Sequence, residues 1–194
     1  MAYNILQLSQ FPQYKVFVSL YKGVTNHADI RDSIKSGSLP DDFDFAFLNA
    51  ANLLSMEQLY SALFRCFVDK RNGKMKANTI HTELISDLSP VKNIMEALTR
   101  FGIPAEGEKS DLIILKVIES TTSPEKAQLD QVYDTVSKVV QNNGVAGVCL
   151  TDAALESTVD LQSIRKNYKL GDMFTEDRER LNRLIIGTIQ LRGL

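Results

Sequence analysis

Residues that commonly announce chemistry are scarce in this sequence: 194 positions hold two cysteines and two histidines. Cys66 and Cys149 lie far apart among apolar residues. That fits small core side chains in a reducing compartment better than a disulfide framework. Neither His27 nor His81 has a second histidine, a cysteine or a carboxylate at metal-ligand spacing, so no metal is expected. His81 reads as an exposed residue of a strand. There is no GxSxG nucleophile elbow, and Gly73-Lys74 has Val68 where a phosphate-cradling loop needs its first glycine. No catalytic residue and no cofactor is expected. The rival class is a small enzyme whose site is assembled from dispersed residues, which motifs do not report.

A long apolar run is also missing. No uncharged stretch approaches the roughly 18 residues of a bilayer span, and the opening MAYNILQLSQF lacks a basic region followed by a long apolar one. The expected location is the nucleus and cytoplasm, without a membrane partner. Charge of one sign is lacking too: the net charge is -2 and the pI is near 5.7. Any contact with nucleic acid must therefore come from a local basic patch.

What is present is an ordinary globular composition, 44% apolar and 24% charged, which argues against a disordered or fibrous chain. The length suits one core, so residues 1–194 are read as a single domain. YKVFVSLY, FAFLN and LIILKVIE read as strands; TIHTELISDL alternates and reads as a half-buried strand, and VAGVCL as a short one. Ser55 with Gln58 opens a helix carrying Leu59, Leu63 and Phe67 at helical spacing. Further helices follow Asn26, run from Val91 to Phe101 with Gly102 as a left-handed stop, and carry the stripe Leu129, Val132, Tyr133 and Val136. LQSIRKNYKL reads as a short helix, and Thr175 as the cap of a terminal helix with Leu181, Leu184, Ile185 and Ile189 on one side. Without strict βα alternation, the expected class is α+β, a mostly antiparallel sheet with helices packed around it.

Two segments stand out. From Arg65 to Lys76 the chain carries Arg65, Lys70, Arg71, Lys74 and Lys76 against Asp69 alone, and Lys92 and Arg100 follow. With the unpaired N–H groups of a helix start near Ser89 to Asn93, this is a candidate anion site; a solvated charged helix end is the plainer reading. The second is the carboxy-terminal part, where IRKNYKL and RLIIGTIQLRGL hold more apolar residues than one helical stripe requires. Burial on two sides and a partner surface both account for that excess.

Several segments together resemble one family. GKMKANTIHTELISDLSPVKNIMEALTRFGI is similar to the signature region of the small kinase-binding subunit of the KEOPS (EKC) complex, the PRPK-binding protein family. The shared features are Lys74-Met75-Lys76, Leu88-Ser89-Pro90, Asn93-Ile94, Ala97 and Phe101-Gly102-Ile103. FPQYKVFVSLYKGVTN, EQLYSALF, IRKNYKL and the terminal IQLRGL agree in order, the last most with fungal members. The resemblance implies a non-enzymatic subunit docked on the amino-terminal lobe of the complex's small atypical kinase. That kinase sits beside a catalytic subunit that installs threonylcarbamoyl on the adenosine next to the tRNA anticodon. It also implies tRNA recruitment through the single-stranded 3′ CCA end. Lys74, Lys76 and Asn93 are then the expected RNA-facing residues, supported by Arg65, Arg71 and Lys92. Ile164, Tyr168, Leu170, Leu184, Ile185, Ile189 and Leu191 are the expected kinase-facing residues, although the same stripe fits a core. The alternative is a structural kinase-docking adaptor with no RNA contact.

Overall fold

Two strands with apolar residues on both faces organise the chain. β2 (Tyr14–Val24) and β4 (Ser110–Glu119) pair antiparallel, with Val16 opposite Val117, Val18 opposite Leu115 and Leu20 opposite Ile113. Side chains alternate along a strand, so Val16, Val18, Leu20, Ile113 and Leu115 enter one core while Tyr21, Leu112 and Ile114 enter another. β1 (Asn4–Leu6) joins the free edge of β2 and β3 (Ala46–Asn49) that of β4, giving the order β1-β2-β4-β3 with every pairing antiparallel. The computed structural model describes residues 2–40 and 43–192. Asp41 and Asp42, and Gly193 and Leu194 of IQLRGL, lie outside the described residues.

The helices are α1 (His27–Ser36), α2 (Met56–Arg71), α3 (Ile80–Leu88), α4 (Ile94–Phe101), α5 (Lys126–Val139), α6 (Asp152–Glu156), α7 (Leu161–Asn167) and α8 (Arg178–Leu191). The larger core collects Leu59, Leu63 and Phe67 of α2, Leu84 and Leu88 of α3, Ile164 of α7, and Leu181, Ile185 and Ile189 of α8. Ile30 of α1 and Val136 of α5 cover the opposite face. Each such side chain contributes roughly 1.5–3 kcal/mol by leaving water. This is the α+β class expected from the sequence.

Several local expectations need correction. TIHTELISDL is a helix: Thr79 caps it by accepting from the Thr82 N–H at 3.2 Å. Its alternating His81, Glu83 and Asp87 suggested a wet face, yet all three are buried. VAGVCL forms no strand beyond one isolated bridge between Leu20 and Val148. Asp177, not Thr175, caps α8, accepting from the N–H groups of Glu179 and Arg180. Asn26 bonds Val139 and Gln141 across the fold instead of capping α1.

Gly102 is extended, with φ -78°, and is not a left-handed stop. Its reason is space, because a Cβ there would lie 2.5 Å from the Leu98 carbonyl oxygen. That oxygen already accepts from the Gly102 N–H at 3.0 Å, so it has little room to move. Gly102→Ala is therefore expected to destabilise the chain by about 1–3 kcal/mol as overpacking, read as a lowered urea midpoint at unchanged m-value.

Candidate nucleic-acid interface

The lysine turn is built on a buried carboxylate. After α2, Gly73 adopts φ 64°, which a glycine reaches without strain, and the chain turns back towards α3. Glu83, 1% exposed, accepts from the N–H groups of Lys76 at 2.9 Å and Ala77 at 2.7 Å through one oxygen. This consumes the backbone of the turn inward. The side chains of Lys74 and Lys76 stand in solvent, and neither pairs with a carboxylate among the described residues.

The second part is the turn from α3 into α4. Ser89 Oγ accepts from the Val91 N–H at 3.2 Å, and Asn93 caps α4 by accepting from the Glu96 N–H at 3.0 Å. Lys92, Asn93 and Met95 are exposed. From inside, one guanidinium holds this turn. Arg192 donates to the carbonyls of Ser86, Ser89 at 3.2 Å and Val91 at 3.1 Å, and to Asp87 Oδ1 at 2.6 Å. Tyr168 braces the same turn, donating from its hydroxyl to the Leu88 carbonyl at 2.6 Å while accepting from Gln58 Nε2 at 2.8 Å. Tyr168 of IRKNYKL and Arg192 of IQLRGL thus meet Leu88 and Ser89 in space.

Asp69, Glu83 and Asp87 each bring a carboxylate atom within 4.8 Å of the others. Arg192 and Arg65, whose Nε is 3.5 Å from Asp87 Oδ1, supply the countercharge, so the cluster is already built around cationic side chains. Burial pushes the Asp87 carboxyl up to about 7, helped by Glu83 and Asp69 and opposed by Arg192 and Arg65. Burial likewise lowers the Arg192 guanidinium, against the pull of Asp87.

The expected RNA-facing set is only partly brought together. Lys74, Lys76, Lys92, Asn93 and Arg71 are exposed, Arg71 lying over the Phe11 ring at 5.2 Å. α3, nine residues and so about 13 Å long, lies between the lysine turn and the α4 start. Arg65 is a correction: it donates to the carbonyls of Ile189 and Arg192 at 2.7 and 2.6 Å and is engaged inside the chain. His81 is a second correction, buried with Nε2 accepting from the Val117 N–H and Nδ1 2.9 Å from Asp44.

The expected kinase-facing set is corrected further. Ile164, Tyr168, Leu170, Ile185 and Ile189 are at most 4% exposed and belong to the core of this chain. A paired change Ile185→Glu and Ile189→Glu would place two charges in that core. Leu184 is half-buried and Leu191 is 64% exposed. Sequence reasoning missed Glu83, Asp87 and Arg192 as positioning residues. The signal was a lone arginine in an otherwise uncharged, mostly apolar terminus.

Asp87 titrates higher in the folded chain than its ordinary value near 3.8. It therefore favours folding most below about pH 4, and that contribution is lost as pH rises through about 7. Wild type is expected to lose stability between pH 5.5 and pH 8 more steeply than Asp87→Asn, measured as urea midpoints on both proteins at each pH.

The family model described as "Kinase binding protein CGI-121" matches residues 21–193. The chain is similar to the EKC/KEOPS complex subunit CGI121 of Debaryomyces hansenii, 36% identical over 201 residues covering all of both chains. It is also similar to the subunits of that name from Eremothecium gossypii, 33% identical with 96% and 97% covered, and Schizosaccharomyces pombe, 32% identical with 96% and 98% covered. The chain belongs to the CGI-121 kinase-binding protein family.

Proposed function

We propose that this chain is a non-catalytic subunit of an EKC/KEOPS complex. In this reading it binds and activates the complex's small atypical kinase and recruits tRNA by its 3′ CCA end for threonylcarbamoyladenosine modification next to the anticodon. The family and its full-length relatives support the complex and the kinase. One observation carries the RNA part: buried groups hold two cationic segments at the two ends of α3, their lysines exposed and without an ion pair among the described residues. About 13 Å of helix between them matches three to four stacked nucleotides at roughly 3.4 Å each. That is the reach of a short single-stranded tail. A non-catalytic role is supported by the engagement of both histidines with backbone groups, His27 between the Pro104 and Gly107 carbonyls and His81 on the Val117 N–H.

For the kinase, the outward side of the α2/α8 seam offers Leu184 and Leu191 of α8 with Phe64 of α2, 37% exposed. The seam is rigid because Gln190 donates to Ser61 and Arg65 to the last α8 carbonyls.

Lys74→Glu with Lys76→Glu is expected to weaken tRNA binding at least about tenfold at fixed low salt and to flatten the salt dependence by about 1.4, two contacts at about 0.7 each. Removing the CCA end from the tRNA should produce a comparable loss in wild type and little further loss in the variant. Unchanged affinity in both comparisons would leave a kinase-docking adaptor without RNA contact. Leu191→Glu is expected to reduce copurification of the kinase with no change in thermal midpoint.

A further inference from the structure

A second basic surface lies on α7, away from both cationic segments. Gln162, Arg165 and Lys166 lie at i, i+3 and i+4 of α7, which places them on one face, and Lys169 follows two residues past the helix end in a left-handed conformation with φ 54°. With Gly171 they line an open cavity of about 590 Å³ to which no carboxylate contributes. None of the three cations has an ion pair among the described residues. In a chain of net charge -2, three cations at one concavity are a local concentration of positive charge.

The patch sits on a fixed support. The opposite face of the segment, Ile164, Asn167 and Tyr168, is buried, and Asn167 Nδ2 donates to Asn52 Oδ1 at 2.8 Å. The Arg165 guanidinium lies 5.3 Å over the Phe174 ring, which restrains it beside an aromatic surface. Arg100, in the last turn of α4, donates to the Asn167 carbonyl at 2.9 Å. The last turn of α4 therefore abuts the carboxy-terminal end of α7, and the eight residues of α4, which begin beside Lys92 and Asn93, span about 12 Å.

We propose that Arg165, Lys166 and Lys169 form a second phosphodiester-backbone site, taking nucleotides of the same RNA strand on the 5′ side of those held at the ends of α3. This rests on the reading of the α3 ends as an RNA surface. The length of α4 corresponds to about three to four stacked nucleotides at roughly 3.4 Å each. A row of cations with one adjacent ring suits a backbone that is read by charge and is tolerant of sequence.

The test uses the full chain with Arg165→Gln, Lys166→Gln and Lys169→Gln combined, all exposed positions, with the thermal midpoint as folding control. For full-length tRNA the expected result is affinity weakened about tenfold at low salt and a salt dependence shallower by about 2, three contacts at about 0.7 each. A short oligoribonucleotide ending in CCA should bind variant and wild type equally, since it is held at the ends of α3. Unchanged tRNA affinity and salt dependence overturn the proposal. So does a loss confined to kinase copurification, which would assign the patch to an acidic protein surface. If Lys74→Glu with Lys76→Glu leaves tRNA binding intact while the α7 variant loses it, the α7 site stands and the lysine-turn reading fails. Absence of tRNA binding by wild type overturns both.

Discussion

The burial of the Arg192 guanidinium against Asp87 is the contact on which the proposed functional surface depends. Arg192 is 6% exposed and Asp87 fully buried. The Arg192 guanidinium donates to three carbonyls and to Asp87, and leaving such buried acceptors unsatisfied costs roughly 1–3 kcal/mol each, so the end of the chain is held to the α3–α4 turn. The Ser86, Ser89 and Val91 carbonyls point inward to meet Arg192. Arg65 closes the ring from α2 by donating to the Arg192 carbonyl. A segment distant in sequence thereby sets the shape of the turn that presents Lys92 and Asn93.

Glu83 does for the lysine turn what Arg192 does for the α4 start. A buried carboxylate accepting two backbone N–H groups is a strong, directional restraint, and the side chains of Lys74 and Lys76 stand exposed beside it. Buried charge of one sign thus underlies exposed charge of the other. Together the two restraints present cations outward on a chain whose net charge is slightly negative.

β2, β4 and α2 are legible in the sequence because apolar spacing and caps agree there: both strands are buried on two faces and Ser55 accepts from the Gln58 N–H as its pattern suggests. α3 is not legible, because a period of two in polarity arose from three interior polar residues whose partners lie elsewhere in the chain. His81 meets Val117 of β4, Glu83 the preceding turn, and Asp87 the far terminus. The role of Arg65 was hidden for the same reason: its acceptors lie 124 and 127 positions away. The apolar excess of α7 and α8 correctly signalled extra burial, but spacing alone does not say whether a core or a partner supplies it. For Ile164, Ile185 and Ile189 the core of this chain does.

We propose the two ends of α3 as one surface for a single-stranded RNA end. The most direct measurement is a backbone-amide NMR titration of the intact chain with a short oligoribonucleotide ending in CCA, beside one lacking it. Shifts are expected to concentrate at residues 74–77 and 91–95 with the first and not with the second. Shifts confined to the α1 and α5 face, or the same response to both oligonucleotides, would contradict it.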